Sequence, residues 1–212
     1  MFTSETSGFI IMGALFGLTA GISPGPQLTL VITETLTHNK TEGIKVAIAP
    51  LITDLPIIII AFLIFPRYSQ FSLLMSMISF LGGIFLVYLG YECLRTKGSG
   101  IDIQKRKAGS LLKGIIVNIL NPHPYLFWIT VGTPVALQAY QISPGTVIIY
   151  FLSFYSMLIG SKISIALIVE RSRTFLTNMV YLWTMRILGL SLFIFAALFF
   201  FDSIKTLINL IK

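Results

Sequence analysis

The sequence predicts an all-α integral membrane protein: six transmembrane helices forming two inverted three-helix repeats, with helices 1 and 4 broken by prolines. Three observations predict it. Of the 212 residues 55% are apolar and 11% charged, and the mean hydropathy is +0.89, a composition foreign to ordinary soluble domains. Apolar runs of about 20 residues or more, the length a bilayer demands, follow one another through short polar links. Finally, the first apolar run of each half carries the same Pro-X-Pro interruption. Six such spans nearly fill the chain. It reads as one transmembrane domain, with repeat A over about 8–95, a cytoplasmic loop over 96–110 and repeat B over about 111–205.

The opening residues, Met1 to Ser7, lack the basic cluster that begins a secretory signal, and the apolar run behind them is too long for one, so it is read as a retained first span. Span 1 covers about Gly8 to Leu36. Inside it, Ser23-Pro24-Gly25-Pro26 removes two backbone donors and clashes with the preceding turn, while the glycine tolerates almost any backbone angle. The helix must break there. Irregular backbone at membrane depth persists only where protein buries it or where it lines a watery cavity. A polar link, Thr37 to Glu42, leads into span 2 from Gly43 to Phe65, and a tight turn over Pro66 to Gln70 into span 3 from about Phe71 to Leu94. Residues 95–110, rich in Lys, Arg, Gly and Ser, have little to bury and read as a mobile loop. Span 4 runs from about Leu111 to Val135, interrupted by Asn121-Pro122-His123-Pro124. An uncharged link, Ala136 to Ser143, precedes span 5, Pro144 to Val169. A short basic link and span 6, from about Leu182 to Phe201, complete the chain.

Lysine and arginine collect in short cytoplasmic loops. Lys40, Lys45, Arg95, Lys97, Lys105, Arg106, Lys107, Lys113, Arg171, Arg173 and Arg186 fall in or near links 1-2, 3-4 and 5-6, against Arg67, Lys205 and Lys212 on the other side. Both termini are therefore expected to be extracytoplasmic. This distribution also accounts for the net charge of +7 without a nucleic-acid partner. Pro24 superposes on Pro122, Pro26 on Pro124 and Leu28 on Leu126, and farther on Leu81-Gly82 falls over Leu188-Gly189, the longer link between spans 4 and 5 absorbing the shift. With three spans per half, the second half enters the membrane upside down. Inverted repeats with discontinuous helices are a transporter signature, their breaks meeting near the midplane to form the substrate site.

Two intramembrane charges stand out. Asp54 lies midway along span 2, where an acid costs about 3 kcal/mol or more to place, and Lys162 midway along span 5 is its candidate ion-pair partner. The pair is either structural or a substrate and proton site. Glu34, at the cytoplasmic end of span 1, is expected to be solvated, and Arg186 to snorkel. His123, between two prolines, is a proton carrier or a satisfied structural imidazole. Gly13, Gly17 and Gly21 recur every four residues on one face of span 1, suited to close helix packing within the chain or to a homodimer seam. Cys93 is the only cysteine, which leaves no disulfide framework and no thiolate metal cluster.

These motifs resemble the lysine exporter (LysE/RhtB) translocator family of amino-acid efflux proteins. Gly21 to Pro26 is similar to the family's opening signature, Asn121-Pro122 followed by aromatics to its fourth-span motif, Leu89-Gly90 to the close of its third span, and Gly43 to Asp54 to its second-span segment ending in an acid. The chain departs from the family in Ala49-Pro50-Leu51, where glycines are usual, and in His123 between the prolines. The resemblance implies a cell-membrane exporter of amino acids or related metabolites, driven by the proton gradient, with no cofactor. The residues expected at its substrate and proton site are Ser23, Pro24, Gly25, Pro26, Asp54, Asn121, Pro122, His123, Pro124 and Lys162. Two other readings are weaker. A divalent-cation exporter would use Asp54, Glu34 and His123, which lack ligand spacing. A membrane thiol-redox relay needs a cysteine in each broken helix, and neither has one. No nucleophile-base set or metal motif of a membrane enzyme is visible.

Overall fold

The computed structural model describes residues 4–64, 68–95, 109–173 and 178–211. The basic stretch 96–108, read as the body of the cytoplasmic loop, and part of the turn after span 2, at 65–67, lie outside the described residues. Every regular element described is helical: α1 (Ser4–Ile22), α2 (Pro26–Thr37), α3 (Lys40–Ala47), α4 (Ala49–Ile64), α5 (Tyr68–Leu94), α6 (Ser110–Ile119), α7 (Pro122–Phe127), a π-helical turn (Trp128–Gly132), α8 (Thr133–Ile142), α9 (Pro144–Arg173) and α10 (Asn178–Ile211). Among the described residues three stretches are long and apolar enough to cross a membrane, Ser76–Leu94, Pro144–Ser172 and Leu182–Thr206. Thr6–Ile22 and Pro26–Thr37 make a fourth as a pair bent by 60°.

The break in span 1 falls where the prolines require it. Helix α1 stops at Ile22, Gly25 is extended, and Pro26 opens α2 at the first helical position, where a missing N–H costs nothing. Span 4 breaks in the same manner: α6 ends at Ile119, Asn121 caps the next segment by accepting from the His123 N–H at 3.1 Å, and Pro122 opens α7. Span 2 is also divided, at Ile48, two residues before Pro50. The expected link from Ala136 to Ser143 is instead helical as far as Ile142, because Pro134 sits in the first turn of α8 and nothing stops the helix until Ser143-Pro144.

Packing is dominated by two helix pairs, α1 with α9 and α5 with α10. The glycine stripe makes the first possible. A Cβ on Gly13 would lie 2.6 Å from the Tyr150 carbonyl oxygen, one on Gly17 2.1 Å from that of Phe154 and one on Gly21 2.9 Å from that of Leu158. All three glycines are therefore spent inside the chain against α9, and the face they form is not open to a second copy. In the other pair Gly90 and Gly189 face each other's carbonyls, at 3.1 and 3.0 Å from an added Cβ. Leu86, Leu89, Cys93, Met185, Leu192 and Ala196 fill the core between them. The outward helix faces carry Leu, Ile, Phe and Met, as lipid contact requires.

Candidate functional site

Both broken spans lead to Asp54. This carboxylate is 4% exposed and is held by neutral donors from two other spans. Asn118, in the last turn of α6, donates to its Oδ1 at 2.8 Å and to the Thr53 hydroxyl at 2.6 Å. Tyr155 of α9 donates to its Oδ2 at 3.2 Å. The Trp128 indole N–H is directed at the same carboxylate. Trp128 opens the π-helical turn, and Gly132 gives its ring room: a Cβ there would meet the ring at 2.3 Å. Such turns occur frequently at functional sites.

The direct Asp54–Lys162 ion pair does not form. Lys162 is 4% exposed, and its ammonium donates instead to the carbonyl of Ala20, 3.4 Å away in the last turn of α1. The negative end of a half-helix suits a cation, and the position beside Ala20 keeps Lys162 within electrostatic range of Asp54 rather than in contact. The break in span 1 thus reaches the site through Lys162, and the break in span 4 through Asn118.

The other predicted residues divide by burial. Pro26, Asn121 and Pro122 are buried, Gly25 and Pro124 are half-buried, and Ser23, Pro24 and His123 are exposed. The His123 ring lies 6.3 Å from the Phe199 ring rather than beside Asp54. The free carbonyl of Ile119 at the end of α6 accepts from the Tyr125 hydroxyl at 2.9 Å. Flanking the carboxylate, Phe127, Trp128, Phe151, Phe154 and Tyr155 form a continuous aromatic stack. Beside it the hydroxyls of Tyr150 and Thr133 are buried without a protein partner.

A second polar cluster lies at the basic end of the bundle, and it overturns the expectation of a solvated Glu34. Glu34 is 2% exposed. It accepts from the Ser110 hydroxyl and from Lys113 at 2.9 Å, and His38 Nε2 stands 3.7 Å away. Lys113 also reaches Glu92 at 3.1 Å, so one ammonium ties α2, α5 and α6 together. Just outside the span, burial pushes the Glu42 carboxyl up, but hydrogen bonds from Lys45 and Ser110 outweigh it and hold the group below the usual carboxylate range. Among the described residues no three His, Cys, Asp or Glu side chains converge as a metal site.

Sequence reading missed Asn118, Tyr155 and the Glu34–Lys113 tie. Asn118 carried a usable signal, a lone amide in an apolar helix one turn before a proline break. Tyr155 carried none, since it sits in an aromatic run indistinguishable from core. In the comparisons with known proteins, the family described as LysE type translocator matches residues 18–203, a stretch that holds both breaks, Asp54 and Lys162. No curated protein and no solved structure matches the chain.

Proposed function

This chain belongs to the LysE type translocator family, and from that premise we propose that it exports amino acids or related small metabolites across the cell membrane, driven by the proton gradient. The observation that carries the reading is Asp54, a carboxylate 4% exposed within the bundle and tied to both broken spans. Intramembrane acids are costly and mark substrate paths and proton relays. Asp54 receives the ammonium of the exported molecule or, once that molecule has left, the coupling proton. Its neutral donors Asn118 and Tyr155 hold it in place without consuming its charge. Lys162 biases that charge from a distance.

Six spans in two inverted repeats is the architecture this function uses. It is supported by the helix pairing. Contact of span 1 with span 5, through α1 and α9, has its counterpart in contact of span 4 with span 2, through α6 with α3 and α4. Spans 3 and 6 pair with each other through α5 and α10, as a two-fold axis between the halves demands. Basic residues at the ends of links 1-2, 3-4 and 5-6 place those links in the cytoplasm and both termini outside.

Replacing Asp54 by Asn keeps the shape and removes the charge. In cells challenged with a panel of amino acids, Asp54→Asn is expected to abolish driven efflux while the protein still inserts and keeps the wild-type unfolding temperature. Export at the unmodified rate across the accessible pH range would make Asp54 a structural residue.

A further inference from the structure

Lys162 is under-used for a buried ammonium. An ammonium has three N–H donors, and a cation withdrawn from water is held by partners that spend them. Lys162, 4% exposed, makes one long hydrogen bond, 3.4 Å to the Ala20 carbonyl, and no described carboxylate lies within ion-pair distance. Asp54, by contrast, has an uncharged donor on each oxygen. The nearest buried acid is therefore satisfied without Lys162, and the lysine has donors to spare.

The spare donors lie at the break in span 1. Ala20 is in the last turn of α1, and Lys162 projects from α9, which packs against both α1 and α2. Across the break α2 begins with Gly25 as an N-cap that has no side-chain acceptor, followed by Pro26. The N–H groups of its first turn carry the positive end of that half-helix. Gly25 itself is extended at φ −176° and ψ 177°, a conformation open to any residue, and a Cβ built on it meets nothing within 4 Å. Neither packing nor backbone geometry requires glycine there, and its lack of a side chain keeps the first turn of α2 open to approach.

We propose that Lys162, together with the uncapped first turn of α2 across the break, binds the carboxylate of the exported molecule. This inference rests on the exporter reading and goes beyond it in making a carboxylate obligatory and Lys162 a specificity-determining residue. Asp54 meets the ammonium of the same molecule. A zwitterion spans the two charges, whereas a decarboxylated amine or a methyl ester leaves the lysine without its counter-charge.

The test uses the full chain in proteoliposomes, loaded in turn with each common amino acid, its methyl ester and its decarboxylated amine. For whichever amino acids are exported, efflux of the ester and of the amine is expected to fall at least tenfold below that of the free acid. Lys162→Met is expected to remove that preference and Lys162→Arg to keep it. Gly25→Val, which fits the observed packing, is expected to slow efflux at least tenfold at an unchanged unfolding temperature. A wild type that exports ester, amine and acid within twofold of one another overturns this proposal and leaves the exporter reading standing. So does a folded Lys162→Met variant that keeps the preference. A wild type that moves no member of the panel overturns both. Should Lys162→Met fail to fold, the acid-against-ester comparison on the wild type decides alone.

Discussion

Glu34 and Lys113 meet at 2.9 Å across the two half-helices at the basic end of the broken spans, α2 and α6. The carboxylate side chain is 3% exposed and the ammonium 18%, so removing the cation strands a charge that water barely reaches. Lys113→Met is expected to lower stability in detergent by about 3 kcal/mol, the cost of an orphaned buried charge. Glu92, at 30% exposure, keeps its solvent, and Glu92→Gln is expected to cost less than about 1 kcal/mol. The double variant Lys113→Met with Glu34→Gln should recover most of the loss. Thermal unfolding of the three variants checks the order.

Close approach of α1 and α9 rests on Gly13, Gly17 and Gly21, whereas Gly160 of α9 faces open space. An added Cβ at Gly17 would lie 2.1 Å from the Phe154 carbonyl oxygen, whereas one at Gly160 meets nothing within 4 Å. Gly17→Ala is expected to destabilise by about 1–3 kcal/mol, as overpacking does. Gly160→Ala should stay within about 1 kcal/mol of wild type. Equal unfolding temperatures for the two would contradict the observed packing.

Asn118 joins Thr53 and Asp54 of α4 to the end of α6. Asn118→Leu leaves a buried carboxylate one donor short, and a loss of about 1–3 kcal/mol is expected, together with slower driven efflux. Tyr155→Phe removes the other donor and should act in the same direction. If both variants export at the wild-type rate, the geometry around Asp54 has no part in transport.

Topology is checked without transport. A reporter fused after Lys212 is expected to register outside, and one inserted among residues 96–108 to register in the cytoplasm, following the basic residues of links 1-2, 3-4 and 5-6. A cytoplasmic C-terminal signal would reverse the assignment.

The parts of the fold set by single residues were legible in the sequence. Prolines at 24, 26 and 122 announce breaks because a missing N–H and a ring clash act locally, and each marks or opens a helix start as expected. Asp54 was visible as a lone acid in an apolar run. What the sequence hid was pairing across distance. Glu34 looked solvated because its partner lies beyond the whole of span 3, and Asp54 was matched to the only other charge at its depth although neutral donors from α6 and α9 hold it. The division of span 2 at Ile48 had a local cause in Pro50, which lacks the N–H that would continue the helical ladder and crowds the turn before it while Ile48 itself stays at φ −87° and ψ −8°, but it lay close to the helix start and was read as continuous.

Cys93 gives the molecule a built-in chronometer. It is the only thiol in the chain, it is 4% exposed, and it sits behind Glu92 with its sulfur 3.9 Å from the Thr33 hydroxyl of α2. A maleimide can reach it only when the packing of α5 against α2 and α10 opens, and Lys113, which bridges Glu34 of α2 and Glu92 of α5, resists the parting of those two helices. The labelling rate of the unmodified protein therefore counts how often this end of the bundle opens around Cys93, and Lys113→Met should raise that count without any engineered cysteine.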